Sequence, residues 1–264
     1  MNYKKYRDTL SRFEEDADQV IQHLIEWIQE EFRKTHASGI ILGMSGGLDC
    51  CFVARLVQMA ELPLQLVLMP NGSSMDYGPR KDAESFIERF GMKAIELPIG
   101  SLVMTMKQCV DEPLKELPHG STNMAFANIS PLMRMSVLST LGQCMNYVMI
   151  GTGNLTERTM GYFTKRGDGL SDFNPLGNIT KSEIRILAKK VGIPDQIIDK
   201  APSADLWEGQ TDEGEMGVRI EEIDAWILVQ EGSEEIIEKI KEANRKSQHK
   251  LNPIPLFPMN RINR

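Results

Sequence analysis

The stretch from Gly39 to Leu56, Gly-Ile-Ile-Leu-Gly-Met-Ser-Gly-Gly-Leu-Asp-Cys-Cys-Phe-Val-Ala-Arg-Leu, constrains this chain more than any other. A short apolar run, Ile40 to Leu42, enters a loop of glycine and serine. The loop gives way to a segment in which Phe52, Val53, Leu56 and Val57 share one face at helical spacing. The pattern predicts a strand, a tight turn and a helix. Glycines at 43, 46 and 47 let the backbone turn sharply and approach a ligand closely, and the unpaired N–H groups of the following helix point at the same place. Such a corner binds anions, phosphate above all. No Gly-Lys-Ser/Thr follows the glycines and Gly-x-Gly-x-x-Gly is absent, so neither a Walker A loop nor a dinucleotide fingerprint is present. Asp49 would repel a phosphate held here unless a cation stood between them. Mg²⁺, which is bound by one or two carboxylates together with substrate phosphates, is the natural bridge.

Further strands are expected at Leu64 to Met69, a continuous apolar run bounded by prolines, at Lys93 to Leu97 and at Tyr147 to Ile150. Helices are expected over about residues 12–35, opened by a capping box Ser11 to Glu14, over about 79–90, near 100–110, from Pro131, from a second capping box Thr180 to Glu183, and near 218–231 and 234–247. The segment from Pro131 is apolar nearly all round, which suits a core helix or one in a subunit interface. Residues 112–123, 155–178 and 201–217 carry no sustained period and are expected as loops. Alternating strands and helices predict an α/β fold, a doubly wound parallel sheet with an N-terminal helix and C-terminal helices, and ligand-binding loops at the carboxyl ends of the strands. One domain over residues 1–264 is expected.

Bulk properties narrow the function. A net charge of −7 argues against a broad nucleic-acid footprint, so nucleotide binding must rest on a local group of cations. No apolar run reaches the roughly 20 residues of a membrane span. The charged start lacks the apolar core of a signal peptide, and a cytoplasmic location without membrane partners is expected. The cysteines at 50, 51, 109 and 144 have neither zinc spacing nor the density of a disulfide scaffold, and the four histidines are scattered.

A second site-forming loop, Gly151-Thr-Gly-Asn-Leu-Thr-Glu157, follows the fourth strand, where switch-point geometry would set it beside the first. Glu157 there is a candidate second carboxylate for the metal, or a solvated loop acid. Lys181 falls in the first turn of its helix, where a cation opposes the helix dipole; this points to an anionic partner, or to an exposed lysine for which the cost is only a few tenths of a kcal/mol.

The opening loop resembles the Ser-Gly-Gly-x-Asp-Ser loop of the ATP pyrophosphatases, with Cys50 in place of the last serine. Together with Gly151 to Glu157, Gly161-Tyr-Phe-Thr-Lys-Arg-Gly-Asp-Gly169, Asp172-Phe-Asn-Pro-Leu176, Thr180-Lys181, Ala201-Pro-Ser-Ala-Asp-Leu206 and Gln210-Thr-Asp-Glu213, it makes the chain resemble the ammonia-dependent NAD synthetases along essentially its whole length. The resemblance implies ATP-dependent adenylation of the nicotinate carboxylate of deamido-NAD with release of pyrophosphate, then attack by ammonia to give NAD and AMP. It implies that Gly43, Met44, Ser45, Gly46, Gly47, Leu48, Asp49 and Cys50 hold ATP together with Thr152, Lys181 and Ser203, with Asp49 and Lys181 catalytic. By the same resemblance Asp49 and Glu157 carry Mg²⁺, while Arg134, Lys165, Asp172, His249 and Lys250 contact deamido-NAD. The loops at 155–178 and 201–217 would be lids that exclude water, the enzyme would be a homodimer, and no glutaminase domain would be fused to it.

Two departures fall on the acyl side. In Asn128-Ile-Ser-Pro-Leu132-Met-Arg134-Met the family pattern has an arginine where Leu132 stands, and Leu251 stands where an arginine is common. A different acid as substrate, or a catalytically silent nucleotide-binding dimer, are the alternatives these leave open. If the missing arginine matters for the dinucleotide, Leu132→Arg will lower the KM for deamido-NAD in steady-state assays; an unchanged KM would mean that the position is spare.

Overall fold

A computed structural model describes residues 3–72, 77–118, 120–201 and 211–257. Among these, four short strands, β1 (Gly39–Gly43), β2 (Leu64–Leu68), β3 (Ala94–Glu96) and β4 (Tyr147–Met149), form one parallel sheet in the order β3-β2-β1-β4. The register pairs Ile40 with Leu64 and with Val148, and Leu66 with Ala94. Before the sheet come α1 (Lys4–Glu15) and α2 (Ala17–Thr35). Between the strands lie α3 (Leu48–Met59), α4 (Tyr77–Arg89), α5 (Gly100–Leu114), α6 (Asn123–Ala127) and α7 (Ile129–Met145). After β4 come α8 (Leu155–Met160), α9 (Lys181–Lys190), α10 (Asp195–Ile198), α11 (Asp212–Met216), α12 (Ile220–Val229) and α13 (Glu234–Leu251).

Strand side chains alternate between the two faces, and each face is covered by helices. Ile40, Leu42 and Leu66 pack with Ile28 of α2, Phe52 and Leu56 of α3 and Leu187 of α9, whereas Ile41 and Val67 pack with Met135 and Leu138 of α7 on the other side. This is the expected doubly wound α/β sheet. The chain winds from β1 outward to β2 and β3, then returns past β1 to add β4, so a crevice opens at the carboxyl ends of β1 and β4 where the winding reverses.

Several elements differ from the sequence reading. The expected helix over 12–35 is two helices, broken at Asp16, and Ser11 lies inside α1 rather than capping anything. The reason is tertiary: Tyr3 and Tyr6 dock against Ala225 of α12, which stabilises helix upstream of the amphipathic stretch. The stretch 155–178 is not loop throughout, because α8 occupies its first six residues. Too short to show a period, α8 does carry a capping box, Asn154 with Glu157. Likewise α5 runs to Leu114 with Pro113 in its last turn, and α7 begins at Ile129. In the 201–217 segment the described part holds α11.

Gly161 ends α8 in the left-handed conformation, φ 64°, and lies so close to α13 that an added Cβ would sit 2.0 Å from the Cβ of Ser247. Gly192 also has positive φ, 82°, but an added Cβ would meet nothing within 4 Å. Gly161→Ala is therefore expected to destabilise by roughly 3 kcal/mol, backbone strain plus overpacking, and Gly192→Ala by only about 1 kcal/mol from strain. Equal losses in urea titration would refute the close approach of α8 and α13.

Candidate functional site

The two loops predicted to form a site meet at the crevice. After β1, Gly46 takes φ 84°, a conformation glycine adopts without strain, and Gly47 caps α3 with no side chain of its own. Asp49 consequently falls in the first turn of α3, where the helix dipole favours a carboxylate. After β4, Asn154 caps α8 and places Glu157 in that helix's first turn. The Asn154 amide donates to Asp49 Oδ2 at 3.1 Å, which ties the second loop to the first.

Lys181 completes the junction. Thr180 and Glu183 form the expected capping box at the start of α9, and the Lys181 ammonium donates to Asp49 Oδ2 at 2.7 Å. The anionic partner anticipated for a lysine at a helix start is therefore a residue of the chain itself. Both side chains are largely enclosed, 8% exposed for Lys181 and 13% for Asp49. Burial would lower the Lys181 ammonium, but the charges of Asp49 and then Glu157 carry its pKa above the ordinary value, so it stays protonated.

Asp49 Oδ1 is buried and has no hydrogen-bond partner. Glu157 accepts a bond from the Asn154 N–H at 3.2 Å, yet the protein packed around it, and then the Asp49 charge, raise its pKa to about 8. An orphaned carboxylate oxygen beside an acid that resists ionisation is the donor set that a hard divalent cation would satisfy. Among the described residues no group of three or more histidine, cysteine or acidic side chains could hold a metal, which leaves these two acids as the pair to consider there.

These residues open onto a cavity of about 610 Å³. Its wall includes Gly43, Met44, Ser45, Gly47, Leu48, Asp49 and Cys50 from the first loop, Thr152 and Glu157 from the second, and Lys181. Cys50 donates from Sγ to the Gly47 carbonyl at 3.1 Å and lies 3.2 Å from Ser45 Oγ, so it occupies the place of a loop serine within a local hydrogen-bond set. A bond from the Cys51 thiol, opposed by burial, lowers the Cys50 thiol to about 6.

The residues expected on the acyl side are divided. Arg134 and Lys250 line the cavity, with Arg134 Nε 3.4 Å from the Met69 carbonyl and Lys250 Nζ bonded to the carbonyls of Gly161 and Phe163 at 2.7 and 2.8 Å. Lys165, Asp172 and His249 are exposed and are not among the lining residues. Asp172 instead accepts a bond from the Met149 N–H at 2.7 Å, which extends the sheet edge. Ser203 lies outside the described residues.

Sequence reasoning missed Asn154, Lys200, Asp212 and Tyr162. Asn154 was legible as the first member of a capping box. Lys200 lines the cavity while paired with Asp82 at 2.7 Å, and Tyr162, also on the wall, donates to the Glu215 carboxylate. Their placement depends on long-range packing that no local pattern announces.

The raised pKa of Glu157 has a definite sign. Between its ordinary value of 4.5 and about 8, the folded protein holds a proton that the unfolded chain has released, so folding stability falls as pH rises through that window. In magnesium-free urea titrations, wild type is expected to lose stability from pH 5 to pH 8 by up to about 1.4 kcal/mol per pH unit relative to Glu157→Gln. Parallel curves for the two proteins would refute the assignment.

Comparison with known proteins shows the family. Residues 20–254 match the family described as NAD synthase. An NH(3)-dependent NAD(+) synthetase from Carboxydothermus hydrogenoformans is 42% identical, over 90% of this chain and 96% of that protein. Among solved structures, an NMN synthetase from Francisella tularensis is similar with a TM-score of 0.83 and 33% identity, over 92% of this chain and 98% of that one. An NH3-dependent NAD synthetase from Campylobacter jejuni superposes with a TM-score of 0.74 at 25% identity, over 92% of this chain and 99% of that one. With residues 20–254 matched by the family and a relative 42% identical over 90% of its length, the chain belongs to the NAD synthase family.

Proposed function

We propose that this chain uses ATP to adenylate the nicotinate carboxylate of deamido-NAD and that ammonia then displaces AMP to give NAD. The observation that carries the reading is the junction of Asp49, Lys181, Asn154 and Glu157 at the floor of the cavity, where Asp49 Oδ1 is left without a partner. A carboxylate accepts ammonia poorly until one of its oxygens becomes a leaving group. Adenylation does this, and it requires charge to be stabilised on the departing pyrophosphate.

The first loop and the N-terminus of α3 hold the β- and γ-phosphates through backbone N–H groups, and Ser45 and Thr152 border the same space. Asp49 and Glu157 would hold Mg²⁺, which when bound neutralises phosphate charge. Lys181, kept protonated by Asp49, supplies a fixed positive charge that needs no reorganisation during the reaction. Arg134 and Lys250, which also line the cavity, suit the anionic acyl substrate, and the enclosing wall limits the water that would compete with ammonia for the adenylate. Ser203 belongs to this proposal as a further ATP contact, and Lys165, Asp172 and His249 as dinucleotide contacts reached on closure or from a partner subunit.

A homodimer is part of the reading. Helix α5 buries none of its residues and exposes Leu102, Met104, Met106 and Val110, an apolar surface that a second copy would cover. A single cytoplasmic domain is proposed as well; among the described residues no helix is long and apolar enough to cross a membrane.

Leu132 favours a second reading in which the acid is a mononucleotide, and similarity to an NMN synthetase agrees with it. One assay decides. With ATP, Mg²⁺ and ammonium, deamido-NAD is expected to give NAD, AMP and pyrophosphate with a higher kcat/KM than nicotinate mononucleotide. The reverse order would replace the first reading by the second, and no pyrophosphate with either acid would refute both. Asp49→Ala should lower turnover by 100-fold or more, on the order of 3 kcal/mol of lost transition-state stabilisation.

A further inference from the structure

Asp224 stands in none of the sequence blocks above and is not among the residues lining the cavity, yet it is fully buried on α12. Its Oδ1 accepts from the Thr156 hydroxyl, and its Oδ2 accepts from both the Ser182 N–H at 2.9 Å and the Ser182 hydroxyl at 2.6 Å. Thr156 Oγ1 in turn accepts the Lys181 N–H at 2.9 Å, and the Tyr6 hydroxyl of α1 donates to Ser182 Oγ at 2.6 Å. Thr180 Oγ1 accepts the Glu183 N–H at 3.3 Å. The first three N–H groups of α9 thus all end on side chains, and two of the three bonds run through Asp224 or its direct partner Thr156.

The consequence reaches the site. Thr156 precedes Glu157 on α8, and Ser182 follows Lys181 on α9, so one carboxylate grips the residues adjacent to two site side chains that come from different helices. A lysine in the first turn of a helix is repelled by the dipole, and an ionised aspartate at the same end offsets that repulsion. Burial lifts Asp224 to about 6, which leaves it ionised at neutral pH.

We infer that Asp224 is a positioning residue for the reaction: by fixing the first turns of α8 and α9 to each other, it holds Glu157 and Lys181 toward Asp49. The inference rests on the roles proposed above for those residues.

Asp224→Asn keeps the shape and removes the charge. Two measurements read it: ATP–pyrophosphate exchange with deamido-NAD present and ammonia absent, and the steady-state constants. The expected result is a fall of at least tenfold in exchange and in kcat, with KM for deamido-NAD within twofold of wild type. Ile240→Val, a truncation in a separate apolar cluster, serves as the control and should lower Tm while leaving kcat unchanged. Should Asp224→Asn fail to fold, Tyr6→Phe, which removes only the outermost hydroxyl of the network, is expected to lower exchange several-fold with the same unchanged KM. A folded Asp224→Asn with wild-type exchange, a loss of activity explained wholly by a lower folded fraction, or a Tyr6→Phe at the wild-type rate would each overturn the positioning role. Lys181→Met separates the two levels. If it is inactive while Asp224→Asn is normal, only the positioning fails; if it exchanges at the wild-type rate, the assignment of Lys181 fails and the inference with it.

Discussion

The ion pair between Lys181 and Asp49 is the contact on which the site depends, and it is costly. Two charges taken out of water lose several kcal/mol of solvation each in real proteins, and removal of one partner of such a pair typically costs about 3–5 kcal/mol. The chain meets this cost with local geometry. Asp49 lies at the positive end of α3 and accepts a second bond from Asn154, while Lys181 is held through its backbone by Thr156. The pair is also incomplete, because Asp49 Oδ1 is left without a partner and Glu157 is pushed toward its neutral form. Stability alone would have filled those positions with apolar groups. A site that accepts a polyphosphate and its counter-ion, as proposed here, has reason to leave them open.

What brings the charges together is the order of the strands. Because β1 is flanked by β2 on one side and β4 on the other, the loops that follow β1 and β4 leave the sheet beside each other and their helices start at one place. The N-termini of α3, α8 and α9 supply Asp49, Glu157 and Lys181 from their first turns. Helix starts are suited to this use, since their free N–H groups need partners and capping fixes the first turn more tightly than the rest of a loop. Two of the three starts carry complete capping boxes. The third is capped by Gly47, which leaves its N–H groups available to a ligand.

Legibility in the sequence followed the range of the interactions. The strands β1, β2 and β4 and the helices α3 and α9 could be read because their apolar pattern, glycines and caps are local. The winding, and hence the meeting of the two loops, follows from these local patterns. The split of α1 from α2 could not, since α1 is stabilised by Tyr3 and Tyr6 against a helix more than two hundred residues away in sequence. Helix α8 was overlooked because six residues show no period, although its capping box was visible. Residues such as Lys200 and Asp224 look like ordinary surface charges in sequence, and only packing puts one on the cavity wall and buries the other.

The two groups of cavity residues, those proposed for phosphate and those proposed for the acyl substrate, are held by different means, and this bears on what each can vary. The group proposed for phosphate rests on backbone turns, helix starts and one buried pair, so most single substitutions there disturb several bonds at once. Cys50, which stands where the resembled loop pattern has a serine, bonds to the Gly47 carbonyl and lies beside Ser45 Oγ, so the thiol is accommodated within the turn. The group proposed for the acyl substrate rests on separate side chains, Arg134 on α7 and Lys250 on α13, each held to a backbone carbonyl. A change such as Leu132 alters one contact without loosening the rest. On the proposed reading, adenylation therefore rests on the shared framework of turns and helix starts, and the choice of acid on a few side chains.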